Sequence, residues 1–201
     1  MVVTFEVLIP IASFIFVSTI TPGPNNIMLA TSGMRFGLRA TLPHILGIHC
    51  GLYILLTLAA FGINQLLLNI PEVLLFLRLF GSLYLLYLAW KILGFTLQAS
   101  EDAKVKPLGI FQALSFQFAN PKAWVMTTSA MALALPLMGS TTLAAVTLCL
   151  TWATLGFMCN CCWVLTGSSF RQHLENVTTR KWICGVLAVL TVATVAMFWI
   201  A

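Results

Sequence analysis

The chain has 201 residues, of which 60% are hydrophobic and only 7% charged, with a net charge of +5 and a mean hydropathy of +1.01. A soluble surface normally needs roughly 25% charged residues, so this composition excludes an ordinary soluble enzyme, a disordered chain and a disulfide-stapled secreted domain. It leaves an integral membrane protein, a single transmembrane domain over 1–201 with no room for a separate soluble one.

The segments 7–34, 40–71, 123–170 and 182–201 contain no Asp, Glu, Lys or Arg, and each is long enough to cross a bilayer at about 20 apolar residues per crossing. Read against charges and breakers, the chain is expected to be all-α and polytopic, with six transmembrane helices near 5–35, 41–63, 72–95, 108–136, 141–166 and 182–201. No Lys or Arg precedes the first apolar run and no small-residue cleavage pattern follows it, so a removable signal peptide is not expected. Arg35 and Arg39 follow the first span, Lys91, Lys104 and Lys106 the third, and Arg171, Arg180 and Lys181 the fifth, while the other connections are free of both residue types. The positive-inside rule then puts the basic connections in the cytoplasm and both termini outside. Trp90, Trp163 and Trp182 fall at the basic ends, where interfacial belts form, and Arg78 lies close enough to an end to snorkel. Basic residues so dispersed give no nucleic-acid face.

Two spans are anomalous. From Glu6 to Arg35 is roughly 42 Å of helix, too long for an untilted crossing, and its middle reads Thr21-Pro22-Gly23-Pro24-Asn25-Asn26. The prolines remove donors and clash with preceding turns, so a continuous helix cannot run through this stretch. The fourth span has Asn120-Pro121-Lys122 midway between Pro107 and Pro136. A shift of 97 residues lays Pro24 on Pro121, Thr31 on Thr128, Ser32 on Ser129, Met34 on Met131, Ser18 on Ser115 and Phe14 on Phe111. With three spans per half, the second copy enters the membrane upside down. The expected architecture is a 3+3 inverted repeat, approximately 1–97 and 98–201, with broken first and fourth helices, as in secondary transporters. Chance likeness between two proline-kinked apolar helices is the alternative.

At each break a half-helix restarts after a capping residue, Gly23 or Thr21 at the first and Asn120 at the second, with a proline in its first turn, offering amides and partial positive charge to an anion. Lys122 adds a full charge there. Two readings of it stand: it clamps a substrate carboxylate, or it neutralises unwound carbonyls. No Asp or Glu lies deep in any span, so a substrate ammonium meets only neutral acceptors: carbonyls near Ile20 and Thr21, Asn25, Asn26, and the hydroxyls of Thr31 and Thr128. That inventory suits a neutral zwitterion, an uncharged α-amino acid. The expected substrate-binding residues are Thr21, Pro22, Gly23, Pro24, Asn25, Asn26, Asn120, Pro121 and Lys122.

The Thr21–Asn26 run, the glycine-rich stretch from Gly33 to Gly51, Tyr87-Leu88-Ala89-Trp90-Lys91 and Asn120-Pro121-Lys122 together resemble the lysine exporter/homoserine-threonine exporter (LysE/RhtB) family over essentially the whole chain. Lys106-Pro107, Gln117-Phe118-Ala119-Asn120 and the stretch from Asn160 to Gly167 look most like its cysteine/O-acetylserine exporter branch. The resemblance implies efflux of small neutral amino acids or derivatives, of the cysteine/O-acetylserine or homoserine/threonine kind, by proton antiport across the bacterial inner membrane, without enzymatic activity or cofactor. Monomer and homodimer both stay open.

His49 lies between Gly47 and Gly51; an unperturbed histidine changes charge near physiological pH, so it either carries the coupling proton or packs in the core. The pairs Gly47/Gly51 and Gly33/Gly37 have the spacing of close helix packing. Cys50, Cys149, Cys159, Cys161, Cys162 and Cys184 sit in or beside apolar stretches and read as small fillers. The alternatives are a transmembrane thiol-disulfide electron carrier, which would need a cysteine at each break, where neither break has one, and a metal exporter of the same superfamily. A metal exporter would need carboxylate or imidazole ligands at the midplane, where only His49 and thiols are on offer, so no metal site is expected.

Overall fold

The computed structural model describes residues 4–63, 69–97, 106–170 and 176–200; Lys104, Arg171 and Glu175 fall outside them. The described residues form seven helices: α1 (Phe5–Ile20), α2 (Pro24–Ala60), α3 (Pro71–Leu97), α4 (Ile110–Ala119), α5 (Pro121–Met138), α6 (Thr141–Ser169) and α7 (Val177–Ile200). Two of them, α2 and α6, meet length and hydropathy criteria for crossing a membrane.

The interruptions follow from local chemistry. Pro22 biases the residue before it toward extended backbone; Thr21 is extended (φ −64°, ψ 142°), and α1 ends with its amide donating to Val17 O. Gly23 is also extended, and Pro24 opens α2. Asn120 (φ −98°, ψ 102°) precedes Pro121 in the same way and separates α4 from α5. Both expected breaks are therefore real gaps between helices. Pro136, by contrast, is accommodated inside α5, which stops at Gly139 in left-handed backbone (φ 62°), with its amide on Leu135 O.

Helix α2 runs through the boundary expected between the first two spans. It bends at Gly37 (φ 79°, ψ 176°), a conformation essentially reserved for glycine. The Thr41 hydroxyl donates to Gly37 O and lies 2.9 Å from the Ser32 hydroxyl, tying the two arms across the bend. Gly37 is thus a conformational glycine, whereas Gly33 is the packing glycine expected: a methyl there would run into the Val164 carbonyl of α6. The reverse contact places Gly167 of α6 on Ala30 O. On the other arm of α2, Gly47 and Gly51 press on Ile110, Ala113 and Gln117 of α4.

The core is formed by Ile11 and Ile15 of α1, Leu29, Ile45, Ile48, Leu52, Leu55 and Leu56 of α2, Ala113 of α4, Trp124 and Met131 of α5, and Leu148 and Trp152 of α6. Helices α3 and α7 pair with each other and join this core through Ile27 and Met34, which meet Ala89, Ile92, Cys184 and Ala188. The outer surface is the reverse of a soluble one. Phe5, Leu83, Trp90, Phe111, Trp182 and Val189 all stand exposed, Phe111 at 82%, an apolar exterior that calls for lipid. All six cysteines are free.

Candidate functional site

The two breaks meet. A cavity between them is lined by Ser18, Thr19, Gly23, Pro24, Asn25, Asn26, Asn120, Lys122 and Ala123, and closed by Ile48 and Leu52 of α2, Met126 of α5, and Trp152 and Asn160 of α6. Its free space is about 30 Å³, room for two or three waters and too little for an amino acid. Six expected site residues, Gly23, Pro24, Asn25, Asn26, Asn120 and Lys122, line it directly. Thr21 and Pro22 do not, but both are held by Lys122, and Pro121 is buried at the start of α5.

Lys122 crosses from the second break into the first. Its Nζ donates to Thr21 O (3.0 Å), Thr21 Oγ1 (3.1 Å) and Pro22 O (3.3 Å). These acceptors lie just past the C-terminal end of α1, where unpaired carbonyls carry partial negative charge. The side chain lies over Gly23: a methyl at that position would come within 2.9 Å of Nζ and 3.0 Å of Cδ. Here the ammonium serves unwound carbonyls, while standing beside the N-terminal end of α2.

The two helix starts differ. At α5, Asn120 Oδ1 accepts from the Lys122 amide, and Asn120 O accepts from Ala123 N–H. This end is capped by its own sequence. At α2, Gly23 brings no capping side chain, and the first backbone bond is Ile27 N–H to Gly23 O. The amides of Asn25 and Asn26 therefore precede the helical ladder, and the α2 start is the open anion-attracting end.

Asn26 is buried and donates through Nδ2 to Thr19 O and Thr21 O, fixing the path of the break. Asn25 Nδ2 donates to Gln117 Oε1 (2.8 Å), and Gln117 Nε2 returns a bond to Asn25 Oδ1 (3.2 Å). An indole braces each break: Trp163 Nε1 donates to Ile20 O and Trp124 Nε1 to Phe118 O. Trp163, expected at an interface, is turned inward because the end of α1 leaves a carbonyl to satisfy. Of the acceptors expected for a substrate ammonium, Ile20 O and Thr21 O are thus occupied, and the Thr31 and Thr128 hydroxyls bond back to Ile27 O and Trp124 O of their own helices.

His49 does not line the cavity, yet it is linked to it. Its Nε2 lies 3.2 Å from Nδ2 of the cavity residue Asn160, Nδ1 lies 3.4 Å from Tyr53 Oη, and the ring leans on Phe157. While Gly47 and Gly51 face α4, His49 faces α6. Sequence reasoning had not placed Thr19, Gln117, Trp152 or Asn160 in the site. Gln117 and Asn160 had a readable signal, an amide inside an apolar run; Trp152 had none, since it comes from a π-turn (Trp152–Gly156) within α6.

A seven-helix, apolar-surfaced fold with interrupted helices meeting at a small cavity suits a membrane translocator. The LysE type translocator family model matches residues 16–201, and the chain belongs to this family of amino-acid efflux translocators; it is a transporter and not an enzyme. Curated relatives include the cysteine/O-acetylserine efflux proteins of Escherichia coli (strain K12), 30% identical over 90% of this chain and 91% of the relative, and of Salmonella typhimurium (strain LT2), 29% identical over 82% and 84%. That of Klebsiella pneumoniae is 28% identical over 88% and 90%. No solved structure matches the chain.

Proposed function

We propose that the chain exports a neutral amino acid of the cysteine/O-acetylserine kind from the bacterial cytoplasm by alternating access, in exchange for protons. Six crossings make two inverted halves, approximately 1–97 and 98–201. The first is α1 with the leading arm of α2, the second the trailing arm, the third α3; then follow α4 with α5, α6, and α7. Both termini lie outside the inner membrane. The element order supports this, since each half runs short helix, proline break, half-helix, positive-φ glycine (Gly37, Gly139), then two further helices.

The observation that carries the proposal is the placement of Lys122 Nζ on Thr21 O and Pro22 O, beside the open start of α2. A zwitterion meets both of its needs there. Its carboxylate, drawn to the Asn25 and Asn26 amides, recruits Lys122; the carbonyls that Lys122 releases accept the substrate ammonium. Lys122 thereby acts in both of the ways its sequence position suggested, at different stages. With no acid among the lining residues, a substrate with a second ammonium has nothing to balance it. The names of the curated relatives point to the same substrate class.

The test is counterflow in proteoliposomes with cysteine, O-acetylserine, homoserine, threonine, leucine and lysine, with and without a pH gradient. Neutral substrates should move and lysine should not, and Lys122→Ala should abolish transport while the protein stays inserted and monodisperse. Wild-type rates in Lys122→Ala, or a preference for lysine, would overturn the proposal.

A further inference from the structure

Two walls of the cavity carry buried polar atoms that no protein group satisfies: Thr19 Oγ1 and Trp152 Nε1. Each is anomalous in its setting. Thr31, Thr57, Thr127 and Thr128 bond their hydroxyls back to the carbonyl four residues earlier, the ordinary resting place for a helical threonine; Thr19 does not. Trp124 and Trp163 both have carbonyl partners for their indoles, whereas Trp152 is completely buried without one.

Nor is the placement of Trp152 incidental. It opens the π-turn Trp152–Gly156, which packs against α1, the helix that carries Thr19. Such turns are uncommon and concentrate at functional positions. Gly156 makes the space for the ring, since a methyl there would come within 2.6 Å of Trp152 Cδ1, the atom next to Nε1. Leaving a buried donor without an acceptor is costly, and a cavity too small for its substrate must part its walls to load. We propose that Thr19 and Trp152 form the side-chain end of the substrate site and select neutral amino acids whose side chain carries a hydrogen-bond acceptor. An indole N–H can only donate, so the best match is a carbonyl oxygen, as in an ester or amide. Ile48, Leu52 and Met126 suit the alkyl part of such a group. A thiol, a weak acceptor, is the poorer fit.

The proposal rests on the transport reading, and its test separates the two. In proteoliposomes holding the full chain, counterflow of O-acetylserine is compared with that of norleucine, a linear side chain of similar length without the carbonyl. Wild type should favour O-acetylserine about tenfold, and Trp152→Phe and Thr19→Val should each bring that ratio close to one. Thr19→Val is nearly isosteric and decides the matter if Trp152→Phe fails to fold. An unchanged ratio, a proportional loss for both substrates, or equal transport by the wild type would overturn the selection proposal alone. A wild type that moves no amino acid would overturn the transport reading and this proposal with it.

Discussion

Asn25 and Gln117, 92 positions apart, exchange a pair of side-chain hydrogen bonds across the two breaks, and Gln117 Nε2 also donates to Ala113 O. Gln117 is fully buried, so removing Asn25 strands a buried amide at a cost of about 1–3 kcal/mol. Asn25→Leu and Gln117→Leu should each lower the melting temperature in detergent. The double variant should be less destabilised than the sum of the two, as expected for directly coupled residues. Strictly additive losses would show that the pair is not coupled.

Gly23→Ala should weaken transport without harming the fold. Its backbone is extended, so a methyl group brings no strain; the clash is with the flexible end of Lys122. Displacing that ammonium should raise the apparent KM about tenfold. A KM unchanged from wild type would mean that the methyl group leaves the Lys122 ammonium in place.

Gly37→Ala and Gly139→Ala both place a side chain at positive φ, but at different backbone positions. Gly37 (φ 79°, ψ 176°) lies where only glycine is at ease, and alanine should cost about 1–3 kcal/mol. Gly139 (φ 62°, ψ 8°) is an ordinary left-handed helix end with open space around it, so Gly139→Asn should be nearly neutral. Thermal unfolding of the three variants in detergent should rank Gly37→Ala lowest.

His49→Gln tests coupling. Glutamine keeps an acceptor for Asn160 and cannot be protonated, so transport driven by a proton gradient should be lost while substrate counterflow without a gradient persists. Undiminished gradient-driven transport would leave His49 a packing residue held by Asn160 and Tyr53.

Both breaks were legible in the sequence because they depend on proline, and most helices because they depend on hydropathy, both of which act locally. Lys122, Asn120 and the Thr21–Asn26 run stood out for the same reason. The boundary expected between the first two spans was not legible, since α2 runs through it. What stayed hidden depends on the direction of side chains in the assembled fold. Asn120 before Pro121 reads as a capping signal, and Asn120 does cap α5; but with Thr21 and Gly23 both on offer at the first break, nothing in the sequence says that Gly23 leaves α2 open, or that the carbonyls offered to a substrate are already held by Lys122 and Trp163. The π-turn at Trp152 packs on α1 and leaves no pattern in hydrophobic periodicity. Gly37 was read for its spacing, although its backbone angle is what matters.

The glycine contacts of α2 restrict how the cavity can open. The leading arm is keyed to α6 by Gly33 on Val164 O and Gly167 on Ala30 O, and the trailing arm is keyed to α4 by Gly47 and Gly51. Backbone sits against backbone in the first interface, so neither pair can slide without first separating. The glycines of the two arms thus press on different neighbours, although His49 of the trailing arm also reaches Asn160 of α6. The arms join at Gly37, so any movement of one against the other turns on one residue's backbone.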